Sequence, residues 1–336
     1  MTIGPSGRDR LPCLDGPPCR TLGGPFTRVV RPVPVRLPAG HAGSMTTGMA
    51  RHHELSIAYE VEGPPPGDPL LLVMGLGLSM DFWPEPFRAL LVRRGFRVAR
   101  FDNRDVGRST HLGGLGAPSA LSLLTRRRPA YTLADMAGDA VAVLDALGWE
   151  SAHVVGISLG GMIAQTLAGR YPARVRSLTS ISSTPSPRIG RPLPHLLPLL
   201  LTGSVRDRDA AADRMVRVFR LIGSPAYPMP EEQIRAAAAR SFDEANDPGG
   251  ARRQLSAIVA AADRRPMLRR LRLPALVVHG DADPLVRPSG GRATARAITG
   301  AKLVVYPGMG HDLPDPLQPD IADEIAALAG RWSPAR

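Results

Sequence analysis

One serine has the neighbours that nucleophilic chemistry requires. Residues 156–161 have the sequence Gly-Ile-Ser-Leu-Gly-Gly, with Ser158 third; an apolar run precedes them and a helical pattern follows. A tight strand-to-helix turn with small flanking residues exposes such a hydroxyl. It also places the hydroxyl at a helix N-terminus, where free N–H groups favour negative charge. A plain glycine-rich turn is the alternative, but the flanking strand and helix favour Ser158 as a nucleophile.

A serine hydroxyl is a weak nucleophile unless a base removes its proton. The chain has eight histidines, and His311 lies in a Tyr-Pro-Gly-Met-Gly-His loop after a late predicted strand. The flanking glycines allow that loop to bring the imidazole over the edge of a sheet. His153 and His279 fall inside predicted strands, which favours structural roles for them. We therefore expect His311 to be the base.

The base in turn needs a carboxylate that fixes its tautomer. Residues 280–286 have the sequence Gly-Asp-Ala-Asp-Pro-Leu-Val and directly follow a predicted strand. Active sites collect at this end of the strands in open α/β sheets. We predict Asp283 as the acid, with Asp281 as the alternative. The other aspartate is expected to stabilise the turn through a side-chain hydrogen bond to the backbone.

Acyl transfer also needs backbone N–H groups that stabilise a tetrahedral oxyanion. One should be the N–H of Leu159, directly after the serine. The other should come from the glycine-rich loop 75–79, which follows the predicted strand 70–74 and has Leu76 as its candidate.

The surrounding elements alternate between strand and helix from His52 onward. The predicted strands are 53–61, 70–74, 97–101, 152–157, 175–181, 275–279 and 302–306. The predicted helices between and after them are 82–94, 133–147, 159–171, 291–298 and 319–329. This order predicts a mostly parallel sheet with helices on both faces. Residues 185–266 interrupt this alternation of strands and helices, because they contain helical pieces such as 208–222 and 231–245. This pattern predicts a helical insertion over the sheet.

Together these motifs resemble the α/β-hydrolase family over residues 54–329. The order serine, aspartate, histidine is the one expected for that architecture. The segments 101–110 and 81–83 are most similar to the aclacinomycin methylesterase group, although the oxyanion loop begins Met-Gly rather than His-Gly. The resemblance implies the α/β-hydrolase fold, with a core at 51–184 and 267–332 and a helical cap at 185–266. It also places the acid at Asp283.

Residues 1–50 differ in composition from the rest of the chain. They are dense in Pro, Gly and Arg and lack a helical or strand period, so we predict disorder there. Their arginines are not followed by the apolar region of a secretory signal, which favours a cytoplasmic location. A start at Met45 or Met49 is an alternative reading of this segment. Cys13 and Cys19, the only cysteines, lie in it and cannot crosslink the body of the protein.

The formal charge of +12 raises the question of a nucleic-acid partner. Nearly all of the basic excess is scattered arginine, and aromatic residues make up only 4%, whereas such partners need clustered charge and stacking groups. No apolar stretch approaches the roughly 20 residues of a membrane span. The apolar run 193–201 instead suggests a wall that contacts a small, apolar substrate.

The sequence therefore predicts hydrolysis of a carboxylic ester through an acyl-enzyme, with no metal or organic cofactor. Perhydrolase or C–C bond hydrolase chemistry with the same residues remains open. A ligand-binding protein with a nearly silent site is another alternative, and a basic nucleic-acid binder is a remote one. No sequence feature predicts an oligomeric state.

Overall fold

The computed structural model describes most of the chain. The described residues are 27–28, 45–125, 129–200, 205, 207–244, 247 and 249–333. Cys13, Cys19 and all but a few residues of the predicted disordered segment therefore lie outside the described residues, as does the end of the apolar run 193–201.

Nine described strands form one sheet in the order β1-β9-β8-β7-β6-β4-β5-β3-β2. They are β1 Thr27–Arg28, β2 Thr46–His52, β3 Leu55–Glu62, β4 Asp68–Val73, β5 Phe96–Phe101, β6 Ala152–Ile157, β7 Val175–Ile181, β8 Ala275–Gly280 and β9 Lys302–Tyr306. Strand β3 is antiparallel to both of its neighbours, β2 and β5, and every other pairing among the described strands is parallel.

Helices cover both faces of the sheet. The described helices are α1 Glu85–Arg93, α2 Ala120–Leu124, α3 Leu133–Ala146, α4 Leu159–Arg170, α5 Leu197–Leu200, α6 Arg208–Ile222, α7 Glu231–Glu244, α8 Gly250–Ala260, α9 Arg265–Leu268, α10 Ser289–Ala297 and α11 Gln318–Ala329. Helices α3 and α4 pack together, as do α1 and α11. Strand β4 shows why the sheet is buried on both sides: Leu71 and Val73 join one core cluster, Leu70 and Leu72 the other. Successive side chains point to opposite faces, so a continuous apolar run serves both.

The predicted fold is confirmed, but its first two strands were missed. Thr27 and Arg28, in the segment predicted to be disordered, form β1 and pair with β9. Residues 46–50 belong to β2 and not to a disordered segment, and they pair with β3. Only Ala50 in β2 is buried, so the strand has no apolar alternation by which it could be recognised. The predicted strand 53–61 begins at Leu55 instead, because His53, with φ of 53°, lies in the turn between the two strands.

The segment 185–266, called here the cap segment, contains helices and no strand among its described residues. Within it α6 packs against α7, and α8 is a helix that the sequence analysis did not predict. The division into core and cap at these boundaries stays a prediction. None of the helices in the described ranges is long and apolar enough to cross a membrane.

Candidate active site

The turn from β6 to α4 holds Ser158 in a backbone conformation that few side chains adopt. Its φ is 57° and its ψ is −119°. A Cβ at Gly156 would clash with the carbonyl oxygen of Gly160, and a Cβ at Gly160 would clash with that of Val73. Glycine at both positions is therefore what allows so sharp a turn at the end of the central strands.

His311 bonds to both partners that the sequence analysis assigned to it. Its Nε2 lies 2.9 Å from the Ser158 Oγ, and its Nδ1 lies 2.7 Å from the Asp283 Oδ2. An ionised carboxylate can only accept, so Nδ1 carries the proton and Nε2 is left to accept from the serine hydroxyl. The structure thus brings together one residue from the β6–α4 turn and two from the loops after β8 and β9.

The carboxylate of Asp283 is buried yet remains a strong acceptor. Its Oδ1 accepts from the backbone N–H groups of Leu285 and Val286, each at 2.9 Å. Burial alone would raise the pKa of Asp283, but His311 and His279 outweigh that effect and hold the pKa at about 2. The group is therefore ionised at neutral pH and able to orient a protonated Nδ1.

The remaining candidates lie apart from this chain of bonds. Asp281 is exposed, and its Oδ1 accepts from the Gly308 N–H at 2.7 Å, which is turn chemistry. His153 is buried between Ser177 and Asp68 on the sheet. His279 donates from Nε2 to the Val286 carbonyl at 2.7 Å and lies 3.4 Å from the Asp283 carboxylate.

Two backbone segments border the serine where an oxyanion would form. Leu159 is the first residue of α4, so its N–H has no acceptor within the helix. Leu76 lines the cavity beside the serine, and the adjacent Gly75 has no side chain to separate the loop from Ser158. The loop is fixed by the Gly77 N–H, which donates to the Gln254 side chain at 2.8 Å. Among the described residues no acceptor bonds to these N–H groups, and their oxyanion role stays a prediction.

A cavity of about 590 Å³ opens beside Ser158 and His311. Its walls come mainly from apolar side chains of the loops after the strands and of helices α6 and α7. They include Phe82, Trp83, Met215, Phe219, Ile222 and Ile234. A mainly apolar chamber next to a polar reacting edge is the usual form of a small-molecule site.

A family model described as the alpha/beta hydrolase fold matches residues 68–315. The chain belongs to the alpha/beta hydrolase family. Rhodomycin D methylesterase of Streptomyces peucetius is 30% identical over 313 residues, which cover 84% of this chain and 98% of the relative. The chain is accordingly an esterase-type hydrolase, and the predicted resemblance to methylesterases is confirmed.

Solved structures agree with this assignment. An enol-lactonase from Burkholderia xenovorans LB400 superposes with a TM-score of 0.64 at 27% identity, covering 83% of this chain and 97% of its own. The esterase RhEst1 from Rhodococcus sp. ECU1013 has a TM-score of 0.67 at 22% identity, covering 86% and 100%. At 22% identity, the similarity to RhEst1 supports the fold alone.

In this hydrolase the loop after β5 is built from buried polar contacts. Asp102 accepts from the backbone N–H groups of Met80 and Arg108, and Asn103 donates to the Met74 carbonyl at 3.0 Å. Burial is the largest effect on Asp102 and raises its pKa. These bonds join the loop after β5 to Met74 and Met80, on either side of the glycine-rich loop 75–79, and so give Asp102 and Asn103 an architectural role.

One cluster in the described part of the hydrolase has the residue types of a metal site. Ligand atoms of Asp105, His111 and Asp247 lie within 4.8 Å of one another. The Arg253 guanidinium already forms ion pairs with Asp105 and Asp247. A fixed positive charge among these carboxylates argues against a cation there, so the residues present do not fit a metal.

Two polar residues that border the base were not predicted from the sequence. Asp312 and Ser224 are both buried and bond to each other directly beside His311. Asp312 could have been noticed because it follows the histidine in sequence. Ser224 gave no signal, since nothing in its own neighbourhood indicates a contact with a loop so far along the chain.

Proposed function

We propose that the protein hydrolyses a carboxylic ester through an acyl-enzyme, with Ser158 as nucleophile, His311 as base and Asp283 as the orienting acid. One observation carries the proposal: an unbroken line of hydrogen bonds runs from the Ser158 hydroxyl through the imidazole to a buried carboxylate, and it borders a cavity. The same line is what activates serine nucleophiles on several unrelated folds.

The proposed reaction has two halves. The Ser158 oxygen attacks the ester carbonyl while His311 takes its proton, and the N–H groups of Leu76 and Leu159 stabilise the resulting oxyanion. His311 then gives the proton to the departing alkoxide, which leaves as the alcohol. Water attacks the acyl-serine in the same way, and the carboxylic acid is released with the serine restored.

The cavity supports a small-molecule ester with a bulky apolar part as substrate. Its volume of about 590 Å³ lies within the range of about 300–1,000 Å³ that holds drug-sized ligands. The relative at 30% identity is named a rhodomycin D methylesterase, which is a further reason to include methyl esters in the assays.

The decisive experiment replaces the nucleophile. Ser158→Ala should abolish hydrolysis of a p-nitrophenyl ester while circular dichroism shows an unchanged fold. Ser182→Ala is a matched control, because this serine is equally close to the end of the sheet but its buried hydroxyl has no partner among the described residues. Full activity in Ser158→Ala would remove the proposal.

Two further assays separate the alternatives. A fluorophosphonate probe should label the wild-type serine rapidly, whereas a ligand-binding protein with a silent site would react slowly. Peroxide-dependent halogenation, run beside an ester panel, distinguishes perhydrolase chemistry from ester hydrolysis.

A further inference from the structure

The loop that carries His311 is held on both sides by the end of helix α6. The backbone N–H of His311 donates to the Ile222 carbonyl at 2.7 Å. The N–H of the preceding Gly310 donates to the Ser224 hydroxyl at 2.8 Å. Neither bond involves the imidazole, so both act on the backbone from which it projects.

The residue on the other side of the histidine completes this arrangement. Asp312 accepts from the Ser224 backbone N–H at 3.1 Å and from the Ser224 hydroxyl. That hydroxyl therefore donates to Asp312 and accepts from the Gly310 N–H. A single oxygen, that of Ser224, thus bonds to both chain neighbours of the base. Ser224 and Asp312 are each 3% exposed, and no arginine or lysine of the described chain pairs with this carboxylate.

The two segments also fit closely at the backbone. A Cβ at Gly310 would clash with the Gly223 carbonyl, and a Cβ at Gly308 would clash with the Ala226 side chain. The Ala226 N–H donates to the Gly308 carbonyl at 3.2 Å, which extends the contact by two residues. Such close approach leaves the loop little freedom to shift as long as the hydrogen bonds are made.

We propose that Ser224 and Asp312 are positioning residues that set the distance between the His311 imidazole and the Ser158 hydroxyl by fixing the loop backbone. This proposal rests on the proposed function. Helix α6 ends at Ile222 and also lines the cavity through Phe219, so the same element contacts the substrate space and the base. A displacement of about 1 Å in a reacting group can cost about 10²-fold in rate.

The test compares four variants with the wild type on one p-nitrophenyl ester. Ser224→Ala and Asp312→Ala should each lower kcat by about 10–100-fold with little change in KM, because alignment rather than binding is lost. Asp312→Asn should stay close to wild type, since an asparagine can still accept from the Ser224 N–H and donate to its hydroxyl. Ser177→Ala is the matched control: it removes a buried serine hydrogen bond to His153 far from the site and should leave kcat unchanged.

Each outcome supports or overturns a definite claim. Wild-type kcat in Ser224→Ala overturns the proposal, and so does an equal loss in Asp312→Asn and Asp312→Ala, which would make charge the cause. If Asp312→Ala does not fold by circular dichroism, the comparison of Ser224→Ala with Ser177→Ala decides. A wild-type protein that neither cleaves the ester nor reacts with a fluorophosphonate would overturn the proposed function instead.

Discussion

Asp283 illustrates how one residue depends on its surroundings. The side chain is buried, where a carboxylate is usually driven to accept a proton, yet its pKa falls to about 2. Two imidazoles and two backbone N–H groups replace the water that it loses. The residue therefore keeps its charge beside His311 at neutral pH.

Replacing this carboxylate by its amide tests the orientation of the base. In Asp283→Asn the amide can donate to Nδ1, which favours the wrong tautomer, and we expect kcat to fall by about 10⁴-fold. Steady-state hydrolysis of the p-nitrophenyl ester measures this fall in kcat. Asp281→Asn is the matched control: that carboxylate is exposed, so its replacement should lower kcat only slightly. A comparable loss in both variants, or the retention of most activity in Asp283→Asn, would contradict the expectation.

At this scale the sequence predicted the residues whose own short motifs indicate their role. Ser158, Asp283 and His311 each lie in a short glycine-containing motif directly after a strand, and the structure brings all three together. The Ser224–Asp312 pair could not be predicted in this way. Its contact is made by tertiary packing of a helix end against a distant loop, and no spacing encodes such packing.

At the scale of elements, the C-terminal end of α7 forms an unusual contact with the core. Glu244 lies 3.4 Å from the Arg108 guanidinium, and its other carboxylate oxygen is buried without a partner among the described residues. Burial is the largest cause that raises the pKa of Glu244 to about 7, and the carboxylates of Asp81 and Asp102 add to it.

This contact predicts a pH-dependent stability. Between the ordinary pKa of 4.5 and about 7 the folded state binds a proton that the unfolded state has released, so stability falls as pH rises through 7. Glu244→Gln should therefore raise Tm at pH 8 by roughly 2–4 °C, the shift for about 1 kcal/mol. The difference should disappear only below pH 4.5, where the carboxyl is protonated in both the folded and the unfolded state. Thermal unfolding by circular dichroism measures it, with the exposed Glu232→Gln on the same helix as control; a lower Tm for Glu244→Gln at pH 8 would refute the argument.

The elements themselves were predicted where apolar periodicity was strong. Strands β6, β7 and β9 have the predicted bounds. Strands β6 and β7 are almost entirely buried, and β9 is half-buried but has the continuous apolar run 303–306. Strand β2 was missed because pairing with β3, rather than any pattern of its own, makes it a strand. Helix α8 was missed within the cap segment, where arginines interrupt the apolar positions.

At the scale of the whole molecule, a buried ion pair joins the cap segment to the sheet. Arg253 on α8 bonds to both oxygens of Asp105 in the loop after β5, at 2.7 and 2.8 Å. The two side chains are 1% and 0% exposed. Tyr131 adds a donated hydrogen bond to the same carboxylate at 2.7 Å. This network attaches the helices above the cavity to the core beneath it.

Removing the arginine should therefore destabilise the fold. Arg253→Ala leaves a buried carboxylate without its partner, which costs about 3–5 kcal/mol in the free energy of unfolding. Urea denaturation measures that loss. Arg208→Ala is the control, since its pair with Asp243 is exposed on both sides and such pairs contribute about 0–1 kcal/mol. Equal midpoints for the two variants would show that the buried pair does not hold the segments together.

Fold class was the most predictable property of the molecule, because the alternation of strands and helices permits few architectures. The boundaries of the cap, the cytoplasmic location and the absence of a nucleic-acid partner stay predictions. Those properties depend on relations between segments, or with other molecules, that composition and periodicity do not encode.

The backbone at Ser158 has a consequence for laboratory evolution of this enzyme. Glycine would adopt φ of 57° without strain, whereas serine at that position costs on the order of 1–3 kcal/mol. Selection for heat resistance alone would thus reward the replacement that removes the reacting oxygen. A screen that selects variants for thermal stability must also measure catalytic activity, or it will favour stable but inactive proteins.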